Sequence, residues 1–141
     1  MTKRWFKRVI STALLISSSA LFAATNPLSQ PLSPQLSVAG QMTVDKFQLL
    51  MQQGFKSVIV NSPNQEQGNA IRVDQLRSIA EQAKVSVIYQ PVTSSKSSET
   101  DVIEFAKYYN ELPKPILMVC KSGERSSRLF NQAKQLGLLH E

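Results

Sequence analysis

The sequence predicts an α/β fold in which a largely parallel central sheet is flanked by helices. Three short apolar segments, rich in β-branched residues, alternate with segments whose apolar residues recur at helical spacing. Because a helix between two strands returns the chain to the same end of the sheet, this alternation favours parallel pairing. In such sheets ligands bind beyond the carboxyl ends of the strands, so a functional site is expected there.

The first half of the globular region contains two predicted helices and one predicted strand. A helix is predicted over residues 42–54, where Thr43 can cap the N-terminus and a glycine ends the apolar spacing. The uninterrupted apolar run in residues 56–61 predicts a strand that is covered on both faces. A polar loop follows over residues 62–70, and apolar residues at helical spacing predict a second helix over residues 72–84.

The second half continues the alternation. A second strand is predicted over residues 85–92, and a Ser-rich loop over residues 93–100 precedes a helix over residues 101–112. A Pro-flanked turn then leads into a third apolar strand over residues 113–120. The last helix is predicted over residues 124–139, with one apolar face for the core.

The N-terminal segment has the features of a secretory signal peptide. Residues 1–23 have a basic start, an apolar run over residues 9–20 and small residues around the expected cleavage after Ala23. A permanent membrane anchor is the alternative, but the run is short and rich in serine. We therefore expect an exported protein, secreted or periplasmic, without a permanent membrane span after cleavage. A Pro/Ser-rich tether over residues 24–37 is expected to precede a domain over residues 38–141.

The net charge does not support nucleic-acid binding once the predicted signal peptide is removed. The whole chain has a formal net charge of +6 and a pI of about 9.7. Four basic residues and no acidic residue lie in residues 1–23, so cleavage lowers the net charge to +2. We expect no nucleic-acid partner, and a mildly basic domain is compatible with a small anionic substrate.

The chain has a single cysteine, Cys120, and a single histidine, His140. A lone cysteine cannot form an intramolecular disulfide, and this pair of residues does not make a structural zinc site. The sequence has no phosphate-binding P-loop lysine motif and no dinucleotide-binding glycine pattern. We therefore predict no metal and no cofactor. Cys120 ends the third predicted strand, where it is either a buried structural residue or a reactive one.

The residues that follow this strand, CKSGERS, favour a reactive Cys120. A helix N-terminus and nearby cations favour the thiolate, which is the nucleophilic form of cysteine. Gly123 permits backbone angles closed to other residues, so successive amide N–H groups can converge on an anion. Arg125 offers a planar, charged fork for two oxygens of a tetrahedral anion. The predicted catalytic residues are Cys120 and Arg125, and the predicted anion-binding residues are Lys121, Ser122, Gly123, Glu124 and Ser126.

Several of these side chains have a second interpretation. The charged residues around Cys120 can be a solvated cluster beside a buried thiol. Ser126 can donate a hydrogen bond to the sulfur or help to cap the helix. Asn61, at the end of the first predicted strand, can line the same pocket, although a turn-forming asparagine is the simpler interpretation.

The string CKSGERS is similar to the Cys-Arg-Ser-Gly-X-Arg-Ser loop of a bacterial family, the beta-lactamase-hydrolase-like, phosphatase-like domain. Further matches lie in residues 39–41, 54–63, 89–92 and 100–105. The resemblance therefore covers most of the chain after the predicted signal peptide. It implies a fold like that of the dual-specificity phosphatases, with Cys120 as nucleophile and Arg125 as oxyanion clamp. The family is sometimes described as a sulfurtransferase family.

Three features depart from phosphatases of this fold. Four residues separate Cys120 from Arg125 where such phosphatases have five, and this spacing resembles the active loop of rhodanese-type sulfurtransferases. Val119 stands where phosphatases usually have a histidine. No aspartate is clearly placed as a general acid, and the candidate donors are Asp101 and Glu99. Acids at these positions also suit the first turn of a helix, because they complement its dipole.

These observations predict an exported, cysteine-dependent, phosphatase-like hydrolase that acts on a small anionic substrate such as a phosphate ester. One alternative is a rhodanese-type sulfurtransferase that carries a persulfide on Cys120 and takes sulfur from a sulfane sulfur donor. Another is a noncatalytic module that binds an anion or a protein partner. Turnover of a phosphate ester indicates the hydrolase, an extra sulfur on Cys120 indicates the sulfurtransferase, and binding without a covalent adduct indicates the noncatalytic module.

Overall fold

A computed structural model describes residues 27–93 and 96–141 of the chain. The predicted signal peptide, residues 1–23, lies outside the described residues. Strands and helices alternate within them, apart from two consecutive strands at the start. In chain order the elements are β1 Gln30–Ser33, β2 Leu36–Ala39, α1 Val44–Met51, β3 Ser57–Val60, α2 Val73–Gln82, β4 Ser86–Tyr89, α3 Glu99–Glu111, β5 Ile116–Val119 and α4 Glu124–Gln135.

The sheet of the described chain has five strands in the order β1-β2-β5-β3-β4. The pair β1–β2 is antiparallel, and all other neighbours are parallel. Strand β5 lies in the middle, where Met118 is in register with Val38 of β2 and with Ile59 of β3. The predicted α/β class with a largely parallel sheet is therefore confirmed.

Helices cover both faces of the sheet. The apolar side chains of the buried strands point alternately to the two faces, so each face has its own core. Helices α1 and α2 pack on one face, against the side chains of Val58, Val60, Leu117 and Val119. Helices α3 and α4 pack on the other face, against Ile59, Ile116 and Met118. Every residue of β3 and β5 is buried, as expected for central parallel strands covered on both sides.

The fold begins inside the segment that the sequence predicts as a tether. Residues Gln30–Ser33 and Leu36–Ala39 form a β-hairpin at the edge of the sheet, so the tether prediction for residues 24–37 is wrong in its second half. Leu36 is 1% exposed and belongs to the core. Pro31 lies in the edge strand β1, which tolerates proline because one side of an edge strand has no partner.

The remaining elements agree with the sequence prediction, with ends that differ by a few residues. The last helix ends at Gln135 rather than at residue 139. No helix among residues 27–93 and 96–141 is both long enough and apolar enough to cross a membrane. The same residues contain no group of three or more histidine, cysteine or acidic side chains arranged to hold a metal ion.

Candidate active site

Cys120 lies directly beyond the carboxyl end of β5, the central strand, where the carboxyl ends of β2 and β3 also meet. Its backbone N–H donates to the carbonyl of Ala39 at 3.1 Å, and the N–H of Asn61 donates to the carbonyl of Val119 at 2.7 Å. These hydrogen bonds extend the parallel pairing of β5 with β2 and β3 to the carboxyl end of the sheet. The sequence prediction of a cysteine at the end of a central strand is confirmed, and the residue is 1% exposed.

The residues Cys120–Arg125, which we call the anion loop, turn back toward the sulfur. Gly123 precedes α4 with φ of 86°, a left-handed conformation that favours glycine. This conformation directs the Gly123 N–H to the Sγ atom of Cys120, with an N···S distance of 3.0 Å. The thiol therefore receives a backbone donor at the N-terminal end of a helix.

Gly40, the residue after β2, packs against the backbone of the anion loop. A Cβ atom added at Gly40 would lie 3.3 Å from the carbonyl oxygen of Lys121 and 3.4 Å from the backbone of Ser122. A side chain at residue 40 would thus push on the backbone that surrounds the sulfur. The glycine in the segment 39–41, which carries part of the family resemblance, has a packing role.

A cavity of about 100 Å³ opens over this loop. It is lined by Cys120, Lys121, Ser122, Glu124 and Arg125. Most of the residues that the sequence predicts as an anion site therefore share one cavity with the thiol. The lining has two cationic side chains, Lys121 and Arg125, and one carboxylate, Glu124.

The guanidinium of Arg125 is paired with a carboxylate that the sequence analysis misses. Nη2 of Arg125 lies 2.7 Å from Oε1 of Glu66, and Nη1 lies 3.3 Å from Oε2. The two side chains are 14% and 20% exposed. The hydrogen bond from Arg125 lowers the pKa of Glu66, against the opposing effect of burial, and the same bond raises the pKa of Arg125. Both groups are charged at neutral pH.

Glu66 belongs to residues 62–71, which we call the covering loop because they pack beside the anion loop. The side chain of Gln41 donates to the carbonyl of Gly68, and the side chain of Asn69 donates to the carbonyl of Pro63 at 3.0 Å. A narrow cavity beneath this loop extends from Cys120 along apolar side chains. Those side chains are Met42, Ile71, Leu76 and Val119.

Ser126 does not line the cavity over the anion loop. Its hydroxyl donates to Oδ1 of Asn61 at 2.8 Å, and both residues are fully buried. The interpretation of Asn61 as a turn-forming residue is wrong, because its side chain joins α4 to the end of β4. Sequence alone gives no signal for this contact, since the two residues are 65 positions apart.

The candidate proton donors Asp101 and Glu99 lie in the first turn of α3. The hydroxyl of Ser98 accepts the N–H of Asp101 at 3.1 Å, and the carboxylate of Asp101 accepts the N–H of Ser98 at 3.0 Å. This reciprocal arrangement is a capping box, so the helix-capping interpretation of Asp101 is confirmed. Neither acid lines the cavity over the anion loop. Their role as proton donors stays a prediction.

Comparison with known sequences identifies the family. A profile of the family described as "Beta-lactamase hydrolase-like protein, phosphatase-like domain" matches residues 29–137. The chain belongs to this family. The resemblance stated from the CKSGERS motif is therefore confirmed, and the chain contains a phosphatase-like domain. The match begins at residue 29, next to β1, which agrees with the corrected start of the fold.

Curated relatives of the chain include proteins with the name Beta-lactamase hydrolase-like protein. The one from Agrobacterium fabrum is 30% identical over 99 residues, which are 70% of this chain and 23% of the relative. The one from Xylella fastidiosa strain Temecula1 is 26% identical over the same shares of the two chains. The phosphatase-like domain thus spans less than a quarter of the length of these relatives.

Solved structures with a similar fold include several phosphatases. A candidate phosphatase from Neisseria meningitidis is 28% identical with a TM-score of 0.69, over 74% of this chain and 75% of that one. A candidate phosphatase from Shewanella putrefaciens is 25% identical with a TM-score of 0.66, over 78% and 69%. The catalytic core of the Saccharomyces cerevisiae PP-IP phosphatase SIW14, at 14% identity and a TM-score of 0.61 over 78% and 66%, shows the fold alone. The cysteine-phosphatase-like fold is therefore confirmed.

Proposed function

We propose that this phosphatase-like domain hydrolyses phosphomonoesters through a covalent intermediate on Cys120. The observation that carries the proposal is the N–H of Gly123, which donates to the sulfur at 3.0 Å, with Arg125 lining the same cavity. A nucleophile, a backbone donor and a cationic fork within six residues supply what phosphoryl transfer needs, which is positioning and charge stabilisation.

The proposed reaction has two steps. The thiolate of Cys120 attacks phosphorus, the bond from phosphorus to the leaving oxygen breaks, and a phosphorus–sulfur bond forms. The leaving oxygen takes a proton from solvent, and the alcohol departs. Water then attacks the phosphorus and gives up a proton to solvent, the phosphorus–sulfur bond breaks, and inorganic phosphate leaves as the thiolate returns. The amides of the anion loop and the guanidinium of Arg125 would stabilise the charge on the non-bridging oxygens during both steps.

Glu66 affects this scheme in two ways. Its carboxylate pairs with both terminal nitrogens of Arg125, so a phosphate that binds there competes with it. Arg125 also lowers its pKa, so Glu66 is ionised at neutral pH and has no proton to give the leaving group. We therefore expect aryl phosphates, whose leaving groups need little protonation, to be better substrates than alkyl phosphates.

A rhodanese-type sulfurtransferase is the second candidate, favoured by the four residues between Cys120 and Arg125. In that reaction the thiolate attacks the outer sulfur of thiosulfate, the sulfur–sulfur bond breaks, and sulfite leaves. The enzyme keeps a persulfide on Cys120, which passes its outer sulfur to a thiol acceptor. A noncatalytic domain would bind an anion and form neither adduct.

Intact mass separates these functions because Cys120 is the one cysteine of the chain. We expect rapid quenching during turnover of 4-nitrophenyl phosphate to add the mass of a phosphoryl group, and thiosulfate to add nothing. Cys120→Ser should abolish turnover and the adduct while phosphate binding is retained. A gain of one sulfur atom from thiosulfate favours the sulfurtransferase. Turnover that survives Cys120→Ser contradicts the mechanism.

Export is part of the proposal and depends on the sequence pattern of residues 1–23. A chain produced in a bacterium with two membranes would be recovered from the periplasm with its N-terminus at Ala24. N-terminal sequencing of the recovered protein tests this directly. A full-length chain that stays in the cytoplasmic fraction would contradict export without affecting the proposed chemistry.

A further inference from the structure

Asn61 follows β3 at the carboxyl end of the sheet and is fully buried. Its side-chain Nδ2 donates to the carbonyl of Gln90 at 3.0 Å, and its Oδ1 accepts the hydroxyl of Ser126 at 2.8 Å. Its backbone donates to the carbonyl of Val119 and accepts the N–H of Val92 at 2.9 Å. One residue thus joins the ends of β4 and β5 to the first turn of α4.

The hydrogen bonds of Asn61 determine the direction of the Ser126 hydroxyl. The carbonyl of Gln90 can only accept, so the amide of Asn61 must present Nδ2 to it and Oδ1 to Ser126. A serine hydroxyl has a single proton, and this one is donated to Asn61. Ser126 therefore has no proton left for the sulfur of Cys120, which receives the N–H of Gly123 instead.

Ser126 is connected to Gly123 through the first turn of α4. The backbone N–H and the hydroxyl of the next residue, Ser127, both donate to the carbonyl of Gly123, at 3.0 and 2.8 Å. A turn that is anchored at Ser126 therefore also holds Gly123, the residue whose N–H donates to the sulfur. Because Asn61 provides that anchor, it influences the position of Cys120 indirectly, through Ser126, Ser127 and Gly123. Its side chain does not contact the sulfur.

We propose that Asn61 is a positioning residue for the anion loop. By anchoring Ser126, Asn61 holds the Gly123 N–H on the sulfur of Cys120. The inference rests on the proposed function for its effect on turnover. Its effect on the sulfur itself is independent of any substrate. When the anchor is removed, the first turn of α4 relaxes and the thiolate loses part of its hydrogen-bond support.

Ser57 provides a matched control at the opposite end of the same strand. It is also fully buried, and its hydroxyl donates to the carbonyl of Pro113 at 2.8 Å. The side chain of Ser57 thus joins β3 to the segment before β5, and the side chain of Asn61 joins it to the first turn of α4. They lie at opposite ends of β3, and Asn61 is at the end next to the thiol of Cys120.

The test measures how fast iodoacetamide alkylates Cys120 as a function of pH in the full chain. For Asn61→Ala we expect the midpoint of this profile to move to higher pH and kcat/KM for 4-nitrophenyl phosphate to fall roughly tenfold. For Ser57→Ala we expect a lower melting temperature with the wild-type profile. A profile that is unchanged in Asn61→Ala, or shifted equally in Ser57→Ala, overturns the proposal.

Ser126→Ala keeps every bond between Asn61 and the strands, so it tests the proposal even if Asn61→Ala does not fold. We expect it to shift the alkylation profile in the same direction, and the double variant to add nothing further. A wild-type profile in Ser126→Ala, or additive shifts in the double variant, contradicts the proposed link. A shifted profile in a protein that hydrolyses no phosphomonoester rejects the proposed function and retains the positioning role.

Discussion

Two loops meet at the guanidinium of Arg125 and contribute to the site in different ways. The anion loop presents a sulfur, a backbone donor and a guanidinium from within Cys120–Arg125. The covering loop, residues 62–71, contributes the carboxylate of Glu66 from 59 positions away in the chain. The contribution of the anion loop therefore depends on its backbone conformation, whereas the covering loop acts through the side chain of Glu66.

This difference predicts different responses to mutation. A backbone donor cannot be replaced by a neighbouring residue, so the anion loop should be sensitive to any change in its shape. The carboxylate of Glu66 forms an ion pair with a partly buried cation, and such pairs contribute modestly to stability. We therefore expect large losses of activity from the anion loop and small changes, even gains in anion binding, from the covering loop.

The largest effect is expected for Arg125→Ala. Loss of the cationic fork removes two donors to the non-bridging oxygens, so kcat/KM for 4-nitrophenyl phosphate should fall about 10³-fold. Steady-state kinetics with the purified chain measure this loss. Arg125→Lys keeps the charge without the planar fork and should recover only part of it.

Arg128 is the matched control for this change, because it lies one turn further along α4. It lines a groove behind the anion loop rather than the cavity that contains the thiol. Arg128→Ala should leave kcat/KM within about threefold of the wild-type value, as for most surface substitutions. Equal losses in the two variants would mean that helix charge, and not the Arg125 fork, supports catalysis.

An intermediate effect is expected for Gly123→Ala, with Gly54→Ala as control. Both glycines have positive φ, 86° and 93°, and an added Cβ would meet no atom closer than 3.8 Å at either position. Each variant should lose about 1 to 2 kcal/mol in the free energy of unfolding from backbone strain. Only Gly123→Ala moves the N–H that contacts the sulfur, so it alone should lower kcat/KM, by roughly tenfold.

The parts of the site that sequence could predict are the parts that depend on neighbouring residues. A strand end, a glycine and an arginine in the first turn of a helix lie within CKSGERS, so the relation between Cys120 and Arg125 follows from local geometry. The strands and helices from α1 onward are predictable for the same reason. Their apolar spacing is a local signal, and the burial of β3 and β5 agrees with it.

The parts that sequence missed depend on contacts between distant segments. Strand β1 is exposed at the sheet edge and contains Pro31, so its composition resembles a tether. Glu66 lies in a polar loop without periodicity, and its partner Arg125 is 59 residues away. Asn61 looks like a turn residue until the fold brings Ser126 to it. Tertiary packing supplies this information, and no local pattern carries it.

The smallest effect is expected for Glu66→Gln, in the covering loop. Because the carboxylate competes for both terminal nitrogens of Arg125, its removal should strengthen the binding of inorganic phosphate about fivefold, the equivalent of roughly 1 kcal/mol. Isothermal titration calorimetry measures the dissociation constant. Glu124→Gln removes the same charge from the cavity wall and, among the described residues, breaks no ion pair. It should therefore have a smaller effect.

The same variant also sharpens the comparison through pH. Arg125 lowers the pKa of Glu66 below its ordinary value of 4.5, so the folded state favours the ionised carboxylate more than the unfolded state does. The stabilisation is therefore fully present above pH 4.5 and disappears as the pH falls through the lowered pKa. Urea unfolding should show wild type more stable than Glu66→Gln by about 1 kcal/mol at pH 7. A difference that persists or grows in acid would show that Glu66 acts through packing, and not through its charge on Arg125.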